Sequence, residues 1–236
     1  MQRTGILFAA AATVALAPGL ATPEASAIQL SQTAIYFEIN DTDGDAGVQI
    51  FLDGEGWDSM QVFDPDGNKI LDVRAEGSVG LQGITELFLE SAEPSFEEQP
   101  LEDLLALFPE GNYRFNGTTT EGVVLRGMAR LTHALPDAPL LILPVEDDDS
   151  VDPDNTVIEW QLAPDPPGSK IVRYQVVVER EKPSLRVFTA DVGPATTSVT
   201  VSPEFMEPGT AYKFEVLAIE TSGNRTISER AFQTER

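Results

Sequence analysis

The side chains whose types and spacing could do chemistry are seven carboxylates between residues 38 and 58, a stretch that contains no basic residue. Within it, Asp41, Asp43 and Asp45 occupy alternate positions. Ca²⁺ prefers oxygen ligands from carboxylates and carbonyls, and calcium loops begin with aspartates at this spacing. The pattern therefore predicts a metal site with Asp41, Asp43 and Asp45 as ligands, and calcium as the candidate cofactor.

The same residues also fit a simpler interpretation. Ala46 stands where a helix–loop–helix calcium loop needs glycine, and Leu52 stands where that loop needs a bidentate glutamate. Aspartate and glycine are also the residues that tight turns select. A solvated acidic hairpin turn is the alternative to the calcium site. The second acidic run, residues 146–154, is interpreted as a solvated loop.

Composition removes several classes of function. The chain has no cysteine and one histidine, so thiol chemistry is excluded and a histidine-based triad or metal site would depend on His133 alone. With 39 acidic and 15 basic side chains, a net charge of −24 repels nucleic acid. His133 follows a strand and has no catalytic partners in sequence, so a structural or surface role is expected. The sequence predicts no catalytic residue and no enzyme, although glycoside hydrolysis would need only two carboxylates.

The first residues read as an export signal. A short positive start, an apolar stretch from Ile6 to Leu16 and the small residues Ala25-Ser26-Ala27 predict a signal peptide over residues 1–27. The apolar stretch is too short to cross a bilayer. The protein is therefore expected to be exported to the periplasm, the cell surface or the medium. The N-x-T sequences at Asn40, Asn116 and Asn224 are glycosylation acceptors only if the export route glycosylates.

A proline-rich segment divides the remaining chain. Residues 135–144 read as a stiff extended connector, because each proline fixes its own φ and pushes the preceding residue toward β. We therefore expect a β-sandwich-like domain over residues 28–135 and a second domain over residues 137–236. The first segment holds 20 acids and 5 bases, whereas residues 136–236 hold 18 acids and 9 bases.

The second half alternates apolar and polar residues with a period of two, which is typical of half-buried strands. Trp160 lies on the inner face of the strand predicted from Thr156 to Leu162. The other predicted strands are Ile171–Arg180, Arg186–Asp191, Ser198–Val201, Thr210–Ile219 and Thr226–Gln233. Turn residues separate these runs, and short strands at this spacing favour an antiparallel sandwich.

These residues resemble the fibronectin type III module. The resemblance rests on Pro139 and Pro144 before the first strand, Trp160, Tyr174, and the run from Met206 to Val216 with Pro208-Gly209-Thr210-Ala211-Tyr212. It implies a seven-strand sandwich that spaces or binds, with Trp160 and Tyr212 in the core and the Tyr212 hydroxyl bonded back to the backbone. Some members carry Arg-Gly-Asp between the last two strands. Here the loop reads Ser222-Gly223-Asn224-Arg225, so integrin binding is not supported.

The first half is also predicted to be mostly β. Its predicted strands are Ala34–Ile39, Val48–Leu52, Ser59–Phe63, Lys69–Val73 and Ser78–Leu89, followed by a hairpin of Tyr113–Thr119 and Val123–Leu131. Leu101, Leu104, Leu105 and Phe108 have helical spacing and predict one helix before the penultimate strand. Residues 109–113 carry a proline, a glycine and a final tyrosine, as the run from Pro208 to Tyr212 does in the second half. The expected fold class is all-β, with two tandem immunoglobulin-like β-sandwiches, the first of them with a short inserted helix.

Two function hypotheses follow. The favoured one is an exported, non-catalytic binding or structural module that contacts a protein or a surface polysaccharide, with calcium as the candidate stabilising ion. On this hypothesis the protein binds no nucleic acid and does not span a membrane. The alternative is a secreted carbohydrate-active hydrolase or an accessory subunit of one.

Overall fold

The computed structural model describes residues 27–236, so the predicted signal peptide lies outside the described residues except for Ala27. In the described range, the helices are α1 Gly77–Gln82 and α2 Leu101–Leu107, with two 3₁₀ turns at Pro153–Asn155 and Pro203–Phe205. The strands are β1 Ile28–Gln29, β2 Gln32–Asn40, β3 Asp45–Phe63, β4 Lys69–Arg74, β5 Ile84–Glu90, β6 Gly111–Thr119, β7 Val124–Leu131, β8 Leu140–Leu143, β9 Asp148–Val151, β10 Val157–Gln161, β11 Ile171–Arg180, β12 Leu185–Val192, β13 Ser198–Thr200, β14 Ala211–Glu220 and β15 Arg225–Thr234. The predicted all-β class is confirmed.

The first half is a sandwich whose two sheets share the long strand β3. Residues 45–53 of β3 pair with β2 and β5, whereas residues 57–63 pair with β4 and β6. The register shifts between Asp53 and Trp57, where the strand passes from one sheet to the other. At the shift, a Cβ on Gly54 would lie 2.7 Å from Leu30 Cδ2, so a larger residue there would require the Leu30 side chain to move. The prediction of two separate strands, Val48–Leu52 and Ser59–Phe63, is corrected to this single bent strand.

The predicted helix is confirmed as α2, which buries Leu104 against the first core. A second helix, α1, was not predicted. Residues 78–82 were expected to begin a strand, but Gly77 and Gly83 both have positive φ, at 57° and 85°, and reverse the chain on either side of this short segment. A helix therefore forms between them, and the strand starts only at Ile84.

The second half consists of a three-stranded sheet, β13-β10-β8, packed against a sheet that contains β12, β11, β14 and β15. Its predicted strands are all present. The acidic run at residues 146–154 is not wholly a loop, because residues 148–151 form β9, which pairs in parallel with β15.

Each half has its own hydrophobic core. Trp57, Phe37 and Phe115 lie in the first, and Trp160, Tyr174 and Phe214 lie in the second, all of them buried. A tyrosine closes a turn in each. The Tyr212 hydroxyl accepts a hydrogen bond from the Glu207 N–H at 2.7 Å, and the Tyr113 hydroxyl donates one to the Pro109 carbonyl at 3.0 Å.

The two halves share one sheet. Residues 225–227 of β15 pair in parallel with residues 38–40 of β2, so hydrogen bonding runs from one sandwich into the other. The domain bounds 28–135 and 137–236, inferred from the sequence, stay a prediction. Among the described residues, no helix combines the length and apolar character needed to cross a membrane.

Candidate functional site

The predicted ligands Asp41, Asp43 and Asp45 lie in and directly after the turn between β2 and β3. The Asn40 side chain organises this turn: its Oδ1 accepts hydrogen bonds from the N–H groups of Thr42 and Asp43, at 3.1 and 3.2 Å. Asn40 Nδ2 donates to Asp43 Oδ2 at 3.1 Å. Gly44 completes the turn with a φ of 71°. Local hydrogen bonding therefore accounts for much of the Asn/Asp/Gly composition of this turn.

The carboxylate oxygens of Asp41, Asp43 and Asp45 do not all lie within 4.8 Å of one another, and the metal site made of these three residues stays a prediction. Within the described range, the group of three carboxylates whose oxygens all lie within 4.8 Å of one another is Glu38, Glu90 and Glu93. Asp45 Oδ1 is buried without a hydrogen-bond partner. Burial raises the pKa of Asp45, and the negative charges of Asp43 and Glu229 raise it further.

We call Glu38, Glu90 and Glu93 the acidic cluster. Glu38 lies on β2, Glu90 ends β5, and Glu93 follows in the next segment. Gly47 of β3 is paired with Glu38 and leaves the space that Glu93 occupies: a Cβ on Gly47 would lie 2.8 Å from Glu93 Cγ. Gln49, also on β3, donates from Nε2 to Glu90 Oε1 at 3.1 Å. Strand β3 thus positions all three glutamates.

The electrostatics of the acidic cluster favour partial protonation. Burial raises the pKa of Glu93 to about 7, and the carboxylates of Glu90, Glu38 and Asp45 add to the shift. Burial also raises the pKa of Glu38, although the nearby Arg225 guanidinium opposes this effect. Such a group can share a proton near neutral pH, or it can offer several oxygens to a cation.

Sequence reasoning did not find Glu90 and Glu93. They reach Glu38 only because β5 pairs with β3, and no local spacing signals that pairing. The one local hint is Gly47, a glycine between the apolar residues Ala46 and Val48 of β3. A glycine inside a strand often marks a close approach by another part of the chain.

A second feature, the junction between the halves, is built around Asn224 in the turn before β15. Its Oδ1 accepts a hydrogen bond from the Phe37 N–H at 2.9 Å. Its Nδ2 donates to the carbonyls of Thr132 and Ala134, at 2.8 and 3.2 Å. The residue is fully buried. The Asn224 amide therefore joins the turn before β15, in the second half, to Phe37, Thr132 and Ala134 of the first half.

Strand β15 fastens the linker as well. The Thr226 hydroxyl donates to the Pro136 carbonyl at 2.6 Å, and the Ser228 hydroxyl donates to the Pro139 carbonyl at 2.7 Å. On the other side of the junction, Arg225 stacks over the Tyr36 ring at 4.0 Å from its centroid. Its Nε lies 3.9 Å from Glu38 Oε2, so the junction and the acidic cluster share Glu38.

An open groove of about 1060 Å³ lies beside this junction. Its walls include Arg130 and Thr132 from the first half, and Lys170 and Ser222 from the second. The acidic cluster does not line this groove.

The structure also shows the surroundings of His133 and of the glycosylation sequence at Asn224. The His133 N–H donates to Glu110 Oε1 at 2.6 Å, its Nε2 lies 2.9 Å from the Phe108 carbonyl, and its ring packs edge-on against Phe37. These contacts are structural. Asn224 cannot accept a glycan in this fold, because its amide is buried and bonded on both sides.

Comparison with known proteins identifies the second half. Residues 148–234 match the family of the fibronectin type III domain, which confirms the predicted resemblance. The match does not extend to residues 27–147. Among curated proteins, none matches the chain.

Solved structures with a similar arrangement include fibronectin(III)-like modules of CbhA from Clostridium thermocellum, at 9% identity and a TM-score of 0.37, covering 87% of this chain and 93% of that one. The FN1-FN3 domains of chicken CNTN1 have 13% identity and a TM-score of 0.35, covering 89% of this chain and 65% of that one. The BSP domain of a biofilm associated protein has 13% identity and a TM-score of 0.28, covering 86% of this chain and 29% of that one.

Proposed function

From the fibronectin type III match of residues 148–234 and the bonded junction, we propose that the protein is an exported, non-catalytic binding and structural module. In this proposal, the two sandwiches act as one rigid unit that presents its surfaces to a protein or to a cell-surface polymer. The observation that carries it is the buried Asn224 amide of the second half, which bonds to Phe37, Thr132 and Ala134 of the first half.

Rigidity follows from the chemistry of this junction. A buried amide that lost its partners would cost about 1–3 kcal/mol per unsatisfied group, so bending the halves apart is unfavourable. The parallel pairing of β2 with β15 adds backbone hydrogen bonds across the same boundary. A module of this kind spaces or orients a ligand site, whereas two flexibly linked domains would not.

The test uses residues 28–236 immobilised on a support and exposed to cell-envelope and culture-medium fractions. We expect a saturable partner to be retained and no product to be released from a panel of glycans. Asn224→Ala is the matched variant, because it loosens the junction without altering the outer sheet faces. Release of sugars from the glycan panel would overturn the proposal in favour of a hydrolase.

Calcium stabilisation is the finer part of the proposal. Asp45 Oδ1 is a buried oxygen without a partner, as a cation ligand would be, but Asp43 Oδ2 already accepts from Asn40. The acidic cluster provides three oxygens within 4.8 Å of one another. Either group of side chains would supply the hard oxygen ligands that Ca²⁺ prefers.

Thermal melting with millimolar calcium and with EDTA tests this part. We expect the melting temperature to rise with calcium. Loss of the rise in Asp43→Asn/Asp45→Asn would assign the ion to the turn, and loss in Glu90→Gln/Glu93→Gln would assign it to the acidic cluster. Identical melting curves in calcium and EDTA would remove calcium from the proposal.

A further inference from the structure

The basic residues of the first half are strongly segregated. Residues 28–135 contain five bases among 20 acids. All five lie on one sheet, the one formed by β4, the second part of β3, β6 and β7, and all five are exposed. The bases are Lys69, Arg74, Arg114, Arg126 and Arg130.

Strand register places these side chains on the outer side of that sheet. The residues between them, such as Val62, Phe115 and Leu125, are fully buried in the first core, so the alternating positions point outward. The outward residues form cross-strand rows that we call the basic face: Arg74-Ser59-Thr118-Val124, Asp72-Gln61-Asn116-Arg126, Lys69-Phe63-Arg114-Met128 and Asn112-Arg130.

The arginines of the basic face are free to bind. Asp72 is the one acid in these rows, and it is already held by Lys69 and Gln61. In the described part of the chain, Arg74, Arg114, Arg126 and Arg130 make no ion pair. Arg114 lies 5.9 Å from the centroid of the Phe63 ring, which leaves its guanidinium hydrogen atoms available.

The side chains that lie between the basic residues indicate which kind of partner the face can bind. Five of the side chains between them carry neutral hydroxyl or amide groups, whereas three are apolar. The polar ones are Ser59, Gln61, Asn112, Asn116 and Thr118, and the apolar ones are Phe63, Val124 and Met128. Arginine binds carboxylates through two parallel hydrogen bonds, and the neutral side chains offer donors and acceptors that suit sugar hydroxyls. The centre of the face has no exposed tryptophan or tyrosine, which are the usual anchors of a protein interface.

We propose that the basic face binds an acidic polysaccharide through its carboxylate groups. This inference rests on the proposed function as an exported binding module and names the partner class for one surface of it. The remaining surface of the chain is strongly acidic, with a net charge of −24 overall, so it repels the same polymer. Binding is therefore confined to one face and to one orientation of the module.

Two other anionic partners fit less well. An acidic protein would meet a face on which Met128 and Val124 are the large exposed apolar side chains, with no exposed tryptophan or tyrosine beside them. Nucleic acid carries a far denser charge, and its phosphates would be repelled by the rest of the chain. Both become outcomes of the test.

The test measures binding of residues 28–236 to immobilised polygalacturonate, with neutral dextran, poly-L-glutamate and single-stranded DNA as alternative surfaces, at low and at physiological salt and in EDTA. The variant is Arg74→Gln/Arg126→Gln/Arg130→Gln. Its matched control, Lys182→Gln/Arg186→Gln/Arg236→Gln, removes the same charge from exposed positions of the second half. Circular dichroism checks that each variant folds, and Arg126→Gln alone replaces the triple variant if that one does not.

We expect polygalacturonate to bind in EDTA, to weaken with salt and to lose at least about tenfold in affinity in the basic-face variant but not in the control. Equal loss in both variants would overturn the inference, since binding would then depend on net charge alone. Binding that disappears in EDTA would overturn it as well, because calcium would then bridge the polymer to the acids. Preference for poly-L-glutamate or DNA would replace the partner class. If no polymer binds while another envelope partner is retained, this inference fails and the proposed function stands.

Discussion

The basic residues of the two halves differ in whether they form ion pairs. In the second half, five of the nine bases pair with acids of the same half. For example, Lys213 contacts Glu215 and Glu229, at 3.2 and 3.0 Å, and Arg180 contacts Glu207 at 2.7 Å. In the first half, Lys69 is the one base that forms an ion pair among the described residues. The four arginines instead share one outer sheet face.

The difference separates two uses of charge. An ion pair within the second sandwich reduces repulsion between that domain's own acids, although exposed pairs add little stability. Unpaired arginines gathered on one face leave the acids of the first sandwich uncompensated and create a surface with the opposite sign. In our proposal, the segregated arginines bind a partner, whereas the paired bases of the second half only offset the charge of neighbouring acids. The predictions below test whether the halves, so different in charge, behave as one unit.

The largest effects are expected from truncating the two cores. Phe115→Ala in the first core and Phe214→Ala in the second each remove a fully buried ring, at a cost of about 3–5 kcal/mol in the free energy of unfolding. Because the junction couples the halves, each variant should lower one shared unfolding transition measured by urea denaturation. Val124→Ala, which is 43% exposed, is the control. Two separate transitions, with only one moved by each variant, would show that the halves are independent.

The junction itself should give the next largest effect. Asn224→Ala leaves the Phe37 N–H and the Thr132 carbonyl buried without their partner, which costs about 2–3 kcal/mol. Asn155→Ala, at an exposed position, should change stability by less than about 0.5 kcal/mol. Amide hydrogen exchange measures where the loss falls, and we expect faster exchange at the pairing of β2 with β15. If exchange became faster only at residues 221–224, Asn224 would stabilise its own turn and not the contact between the halves.

The sequence was informative where the physical signal is local. Period-two alternation placed Trp160 and Tyr174 in the second core, and helical spacing placed α2. It failed where the signal depends on distant pairing. Phe37 and Asn224 are 187 positions apart, and nothing near either residue announces their hydrogen bond. The acidic cluster was missed for the same reason, while Asp41, Asp43 and Asp45 were chosen because their spacing is visible in one short run.

The two tyrosine turns offer a smaller and directly matched comparison. Tyr212→Phe leaves the Glu207 N–H without its acceptor, whereas Tyr113→Phe leaves only the Pro109 carbonyl, which can accept from water. We expect a loss of about 1–1.5 kcal/mol for Tyr212→Phe and less for Tyr113→Phe. Thermal melting of the two variants beside the wild type measures both. A larger loss for Tyr113→Phe would mean that the first turn depends more on its hydroxyl than the donor–acceptor roles indicate.

The smallest effect concerns the acidic cluster, where Arg225 of the second half lies 3.9 Å from Glu38. It tests how much the repulsion among these glutamates costs in stability. The pKa of Glu93 is about 7 in the folded chain against a usual value of 4.5, so the folded state keeps a proton that the unfolded state releases. Stability must therefore fall as the pH rises through this window, and the loss is complete above about pH 7. Because Glu93 is partly exposed, solvent screening limits the loss to about 0.5–1 kcal/mol. Glu93→Gln stays neutral, so its free energy of unfolding should equal that of the wild type at pH 4 and exceed it at pH 8, as measured by urea denaturation without calcium. Glu98→Gln, in the same segment, is the control. Equal stability of Glu93→Gln and wild type at both pH values would mean that the cluster carries no strain from its own charge. The contrast between the two halves would then rest on the basic face alone.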